Sequence, residues 1–202
     1  MKTDKRLPAS ERRKIILDAA MRTFVEYGYQ GAYMETIAER ADVTKPILYR
    51  HFPSKLSLLI ALLDQAGEEL RGSILRPFDT KEDRRAFIRK DVRSYLDFVE
   101  NYEGGYRLIY TIGLGIDSEV SERIDNIRQN TMKIVADHIR CFVDTDSVPP
   151  EDIELTAAMA VGMAETAALY WIKNEGITRE GCESNLIRCV TNILADLPPR
   201  TR

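Results

Sequence analysis

Residues 35–55, ETIAERADVTKPILYRHFPSK, constrain the fold of this chain more than any other stretch. Ile37 and Ala38 precede a break at Asp42-Val43-Thr44, and Leu48 and Phe52 follow it four residues apart. Two short helices with this pattern bury their apolar positions by crossing closely. The crossing needs a small residue such as Ala38 and an apolar plug such as Val43 in the turn. Thr44 reads as an N-cap, and Pro46 is tolerated in the first turn after it. The outward directions then fall to Thr44, Lys45, Ile47, Tyr49, Arg50 and His51. A short polar and aromatic helix behind a tight turn is the layout of a DNA-reading head, with the second helix in the major groove.

The rest of the chain is also helical by periodicity, with no convincing alternating strand run. Ser10 is positioned to cap a first helix with Ile16, Ala20 and Phe24 inward, ending at Tyr27-Gly28, after a loose basic arm over residues 1–9. The second helix is expected over Met34–Ala41 and the third over Lys45–His51, stopped by Phe52-Pro53. Ser54 caps a fourth that runs to a break at Pro77. Further helices are expected over Lys81–Tyr102, Tyr106–Ile112, from Asp117 or Ser118 past Ile139, Glu151–Lys173 and Arg179–Leu197. Gly104-Gly105 reads as a tight turn. The expectation is an all-α chain: a three-helix head over residues 1–52 containing a helix-turn-helix, then a six-helix body over residues 53–202.

Charge separates the same two parts. Residues 1–55 carry 11 Lys/Arg against 7 Asp/Glu, and residues 56–202 carry 18 against 25. A basic head on an acidic body suits a protein that brings one end to a polyanion. No run approaches 18 apolar residues and the N-terminus has no apolar h-region, so neither a membrane span nor a signal peptide is expected. Cys141, Cys182 and Cys189 form no CxxC pair, which points to a reducing cytoplasm. With two histidines, no HExxH and no phosphate-loop GKS/T element, neither a metal, a cofactor nor catalysis is expected. His138 beside Asp137 does not make a triad by adjacency alone.

Chemistry suggests roles in the head. Lys45 can donate to guanine O6/N7 or to phosphate, and Thr44 to phosphate. Pro46 offers an apolar edge to a thymine methyl, Tyr49 and His51 suit phosphate clamps, and Lys55 can meet the backbone from the next helix. Arg12 and Arg13 serve either DNA or solubility.

The stretch 28–59, GYQGAYMETIAERADVTKPILYRHFPSKLSLL, resembles the signature of TetR-family transcriptional regulators. The resemblance lies in Ile37-Ala38, Ala41, Val43-Thr44, Leu48-Tyr49, His51-Phe52, Ser54-Lys55 and Leu58-Leu59. It implies an all-helical homodimer with two heads, most often a repressor released by a small ligand. It also places Thr44, Lys45, Pro46, Tyr49, His51 and Lys55 at typical DNA-contact positions. Two residues depart from the pattern. Tyr33 stands where Ser or Thr usually caps the second helix, and Asp42 replaces a turn glycine.

The body has no comparable motif. Small residues along ELTAAMAVGMAETAALYWIK and the apolar positions of the last helix suit a four-helix seam, so a homodimer through the last two helices is expected. Tyr95, Phe98, Tyr102, Tyr106, Tyr110, Met132, Met159, Met163 and Trp171 form the candidate pocket for a small hydrophobic or aromatic effector. The resulting reading is a dimeric, ligand-responsive regulator on a pseudo-palindromic operator. The alternatives are an effector-independent DNA-binding activator and a helical interaction module.

Overall fold

The computed structural model describes residues 8–75 and 83–200. Most of the expected basic arm, the break at Pro77 and the start at Lys81 lie outside the described residues. The order is α1 Ala9–Gly31, α2 Met34–Arg40, α3 Lys45–His51, α4 Lys55–Ile74, α5 Arg84–Asn101 and α6 Glu103–Arg107. A π-helical turn at Leu108–Ile112 precedes α7 Ser118–Arg140, α8 Pro150–Lys173 and α9 Arg179–Ile193. Among the described residues the extended pairing is a single isolated bridge, Val143 with Pro199.

The helices form two compact units. The first takes the chain to Gly67 together with Glu103–Ile124, and the second takes Glu68–Tyr102 and everything from Asp125 onward. Both α4 and α7 contribute residues to each unit.

In the first unit, α1 buries Ile16, Leu17, Ala19, Ala20, Thr23 and Phe24 along one stripe. Thr23 is satisfied there by donating to the Ala19 carbonyl at 2.8 Å. The helix begins at Ala9 with Pro8 in the cap position, two residues before the expected cap at Ser10. The break expected at Gly28 is present, since its φ is +68°, but helical hydrogen bonding resumes and continues to Gly31. α4 is capped reciprocally: Ser57 N donates to Ser54 Oγ at 3.0 Å and Ser54 N donates to Ser57 Oγ at 3.1 Å.

The turn expected at Gly104-Gly105 is instead helical, because both residues lie inside α6. Gly104 serves packing. A Cβ on Gly104 would stand 3.0 Å from Met21 Sδ of α1, so the missing side chain lets α6 close on α1. Tyr106 is fully buried at this contact. The π turn closes with Gly113 N donating to Leu108 O at 2.9 Å.

In the second unit α5, α8 and α9 pack on one another. Asp83 caps α5 by accepting from Ala86 N, and Thr178 caps α9 by accepting from Gly181 N. Buried carboxylates pin this bundle. Glu183 receives Arg93 at 2.9 Å and Arg179 at 2.8 Å, while Glu165 accepts from Arg128 Nε at 3.2 Å and Nη2 at 2.7 Å. Arg179 also reaches Asp97 and Glu100. α9 stops at Ile193, short of the expected Leu197. Beyond it Asp144 N donates to the Pro198 carbonyl and Arg200 N to the Phe142 carbonyl, so the tail pairs with the loop after α7.

Candidate nucleic-acid interface and cavity

α2 and α3 meet through a tight turn in which Asp42 N donates to Glu39 O at 3.1 Å and Val43 N donates to Ala38 O at 3.0 Å. The turn requires a left-handed residue, and Asp42 supplies it at φ +51°. Ile37, Ala38, Ala41, Leu48 and Phe52 are buried, as the close crossing demands. Arg40 ties α2 to α1, ion-pairing with Glu26 at 2.7 Å and lying over the Tyr27 ring. Arg13 covers the Phe52 ring at 4.9 Å, which gives it a packing role at the foot of α3.

With Leu48 and Phe52 facing in, Thr44, Lys45, Pro46, Tyr49 and Arg50 are exposed. Thr44 occupies the N-cap position with extended dihedrals, but its hydroxyl makes no capping bond. That hydroxyl is open to an external acceptor. Lys45 ion-pairs with Glu35 at 2.8 Å, and this hydrogen bond raises the lysine pKa and lowers that of the carboxyl. Arg50, omitted from the motif-based set, stands one turn beyond Pro46 on the same side of α3. Tyr33 is 64% exposed and donates no cap to α2, consistent with the missing Ser or Thr.

Two predicted contacts have a different setting from the one their chemistry suggested. His51 is half-buried, with Nε2 buried and lacking a partner among the described residues. Burial, followed by Arg50, Arg12 and Arg13, lowers its pKa, so it is neutral at physiological pH. Lys55 turns inward. Its ammonium donates to the carbonyls of Tyr29 at 2.7 Å, Ala32 at 3.0 Å and Gln30 at 3.4 Å, and lies over the Tyr29 ring. These are orphan carbonyls at the end of α1, and they occupy all three ammonium protons. Burial lowers the Lys55 pKa. Motif position pointed to phosphate; the interrupted C-terminus of α1 at Gly28 was the sequence feature that called for a cation.

The second unit contains a cavity of about 100 Å³. One face of α5 lines it with Arg84, Phe87, Ile88, Asp91, Val92 and Tyr95. α7 adds Thr131, Val135, His138 and Ile139, and α8 and α9 close it with aliphatic side chains, among them Val161 and Leu186. Of the nine residues expected to form one pocket, Tyr95 alone lines this cavity. Tyr106 and Tyr110 belong to the first unit, where their rings lie 4.6 Å apart in its core. Phe98 is buried against Tyr102 at a ring distance of 5.9 Å. Met132, Met163 and Trp171 are half-buried off the cavity wall, and Met159 is 47% exposed. Large side chains fill space, and the cavity opens where α8 presents Ala160 and Ala164.

His138 pairs with Asp91 across helices at 2.7 Å, while its chain neighbour Asp137 binds Arg140. Adjacent helical residues point about 100° apart, so the sequence neighbour was the wrong partner. Among the described residues no cluster of three or more metal-ligating side chains occurs.

Comparisons with known proteins agree with this architecture. Residues 16–62 match the family described as bacterial regulatory proteins, tetR family, and residues 85–193 match the tetracyclin repressor-like C-terminal domain. The HTH-type transcriptional activator FasR of Mycolicibacterium smegmatis is 33% identical over 171 residues, 84% of this chain and 76% of that protein. The HTH-type transcriptional repressor KstR of the same species is 43% identical over 89 residues, 44% of this chain and 40% of that protein. A tetR-family transcriptional regulator from Streptomyces coelicolor superposes with a TM-score of 0.77 at 25% identity, covering 94% of this chain and 82% of that one. The helix-turn-helix, the all-helical body and these matches over both parts of the chain make it a member of the TetR family of transcriptional regulators.

Proposed function

We propose that this regulator binds a pseudo-palindromic operator as a homodimer and is released by a small, mostly apolar effector. The observation that carries the reading is the division of α3: Leu48 and Phe52 anchor it inward, while Thr44, Lys45, Pro46 and Tyr49 face solvent together. Such a helix presents base-reading and phosphate-holding groups at once. Residues 1–52 form the DNA-binding part in this reading, and residues 53–202 the regulatory part. A protein acting on DNA in this way works in the cytoplasm.

Dimerisation through α8 and α9 is supported by the outward side of α8. Leu155, Met159 and Tyr170 are large, apolar and exposed at helical spacing, and a Cβ on Gly162 would meet nothing within 4 Å. By length and composition α8 could cross a membrane. Its opposite face packs on α5 and α9 and holds Glu165 against Arg128, which suits a body helix with a second subunit on its free face.

The cavity favours an effector-responsive regulator over an effector-independent one. α4 and α7 each carry residues of both compact units, giving a covalent route for coupling. A hundredfold change in DNA affinity requires about 2.7 kcal/mol of coupling. The relatives named above include an activator and a repressor, and the repressor assignment is tested by transcription from the chain's own operator. Repression there, relieved by a cavity ligand, is the expected result; stimulation of transcription would assign the opposite sign.

A further inference from the structure

We propose that Glu35 is a specificity-determining positioning residue of the DNA-reading head: it holds the Lys45 ammonium back from phosphate and offers it, as half of a near-neutral pair, to a G·C base pair. The proposal rests on the DNA-binding reading and adds a residue of α2 that acts through α3.

Glu35 is the second residue of α2 and Lys45 the first of α3. Lys45 Nζ lies 2.8 Å from Glu35 Oε1 across the two helices. The carboxylate is also held by its own backbone N–H, and Glu39, one turn along α2, adds its negative charge at the ammonium. The two side chains are 57% and 49% exposed, so the pair packs little and stays open to a bound duplex. Arg50, exposed on the same helix, makes no ion pair among the described residues. The head therefore keeps one free cation on α3 and restrains the other, at the helix end that faces base edges in this motif.

A lone ammonium there would be drawn to any phosphate, because each neutralised phosphate releases counterions whatever the base sequence. Glu35 reduces that gain. Either the ammonium leaves its partner, or the carboxylate stands beside a second anion. A guanine edge asks for less. Its O6 and N7 are neutral acceptors, and the ammonium keeps two protons for them after Glu35 takes one. The cytosine of the same base pair presents an N4 amine, and a carboxylate has about four lone-pair sites with which to accept it. Lys45 and Glu35 together complement a G·C pair and disfavour phosphate, which trades general affinity for selectivity.

The test compares wild type, Glu35→Ala, Lys45→Met and the double variant, each as the full chain. Two DNA probes are used: the duplex most enriched by wild type from a random pool, and the unselected pool itself. Alanine favours helix and position 35 is exposed, so α2 should persist; Glu35→Gln takes its place if the alanine variant does not fold. Glu35→Ala should bind the unselected pool about fivefold more tightly, the upper end for releasing an exposed ion pair. Its salt slope on the pool should steepen by about 0.9, one more phosphate contact. The enriched duplex should gain less, so the preference for it falls. In the Lys45→Met background, removing Glu35 should leave the preference unchanged. Equal gains on both probes, or the same loss of preference without Lys45, would overturn the proposal. A lower melting temperature with unchanged preference would also overturn it, since Glu35 would then only stabilise the start of α2. If wild type enriches no duplex, the DNA-binding reading fails as well; if it enriches one and Glu35→Ala keeps the preference, the proposal alone fails.

Discussion

The Lys55 ammonium lies 2.7 Å from the Tyr29 carbonyl oxygen and joins the first residue of α4 to the last turn of α1. With the Ala32 and Gln30 carbonyls it replaces the missing C-cap of a helix already interrupted at Gly28. Lys55→Met should therefore destabilise the chain by about 1.5–3 kcal/mol, the range for hydrogen bonds from a charged donor. Urea denaturation of the free protein measures this. A residue that only held phosphate would leave stability unchanged and weaken every DNA site alike.

Gly113 and Gly104 should respond differently to alanine. A Cβ on Gly113 would lie 2.7 Å from the Leu108 carbonyl oxygen and 2.9 Å from Ile124 Cδ1. The backbone oxygen cannot move aside without opening the π turn, so Gly113→Ala should cost about 1–3 kcal/mol. At Gly104 the neighbour is the flexible end of Met21, and alanine gains about 1 kcal/mol of helix propensity, so the change should be nearly neutral. Thermal melts of the two variants give the comparison.

Asp42 holds φ at +51°, where glycine carries no Cβ penalty. Asp42→Gly should stabilise the turn by up to about 1 kcal/mol, and Asp42→Val should destabilise it by about 1–2 kcal/mol. Chemical denaturation of both variants checks the sign at each.

How far the sequence was readable follows from the range of each interaction. The limits of α3 were legible because Thr44, Pro46 and Phe52-Pro53 act within one turn of themselves. The Asp42 conformation and the Ser54 cap were legible for the same reason. The capping of α1 by Lys55 was not legible because its carbonyl partners lie 23 to 26 residues earlier in the chain. Gly104 looked like a turn because the side chain that needs the space, Met21, is on another helix. The cavity was missed since aromatic and methionine residues advertise themselves, whereas a void forms where side chains such as Ala160 and Ala164 are too small to fill it.

His51 gives the head a pH dependence. Its pKa in the folded chain is lowered below the ordinary 6.5 by burial and by Arg50, Arg12 and Arg13. The unfolded chain therefore takes up the proton first. Stability should be full above about pH 6.5, fall as pH drops from there to the lowered value, and level off below it. In His51→Gln this part of the slope should vanish, as read from denaturation midpoints between pH 5 and 8.

In the proposed function, two copies of α3 read DNA at a fixed separation. Selection of binding sites from a random DNA library with the purified full chain tests it most directly. The expected result is two inverted half-sites separated by one helical turn or a multiple of it, with recovery falling steeply as salt rises and the preferred bases changing in Lys45→Ala. A single unrepeated motif, or enrichment that does not depend on Lys45, would contradict it.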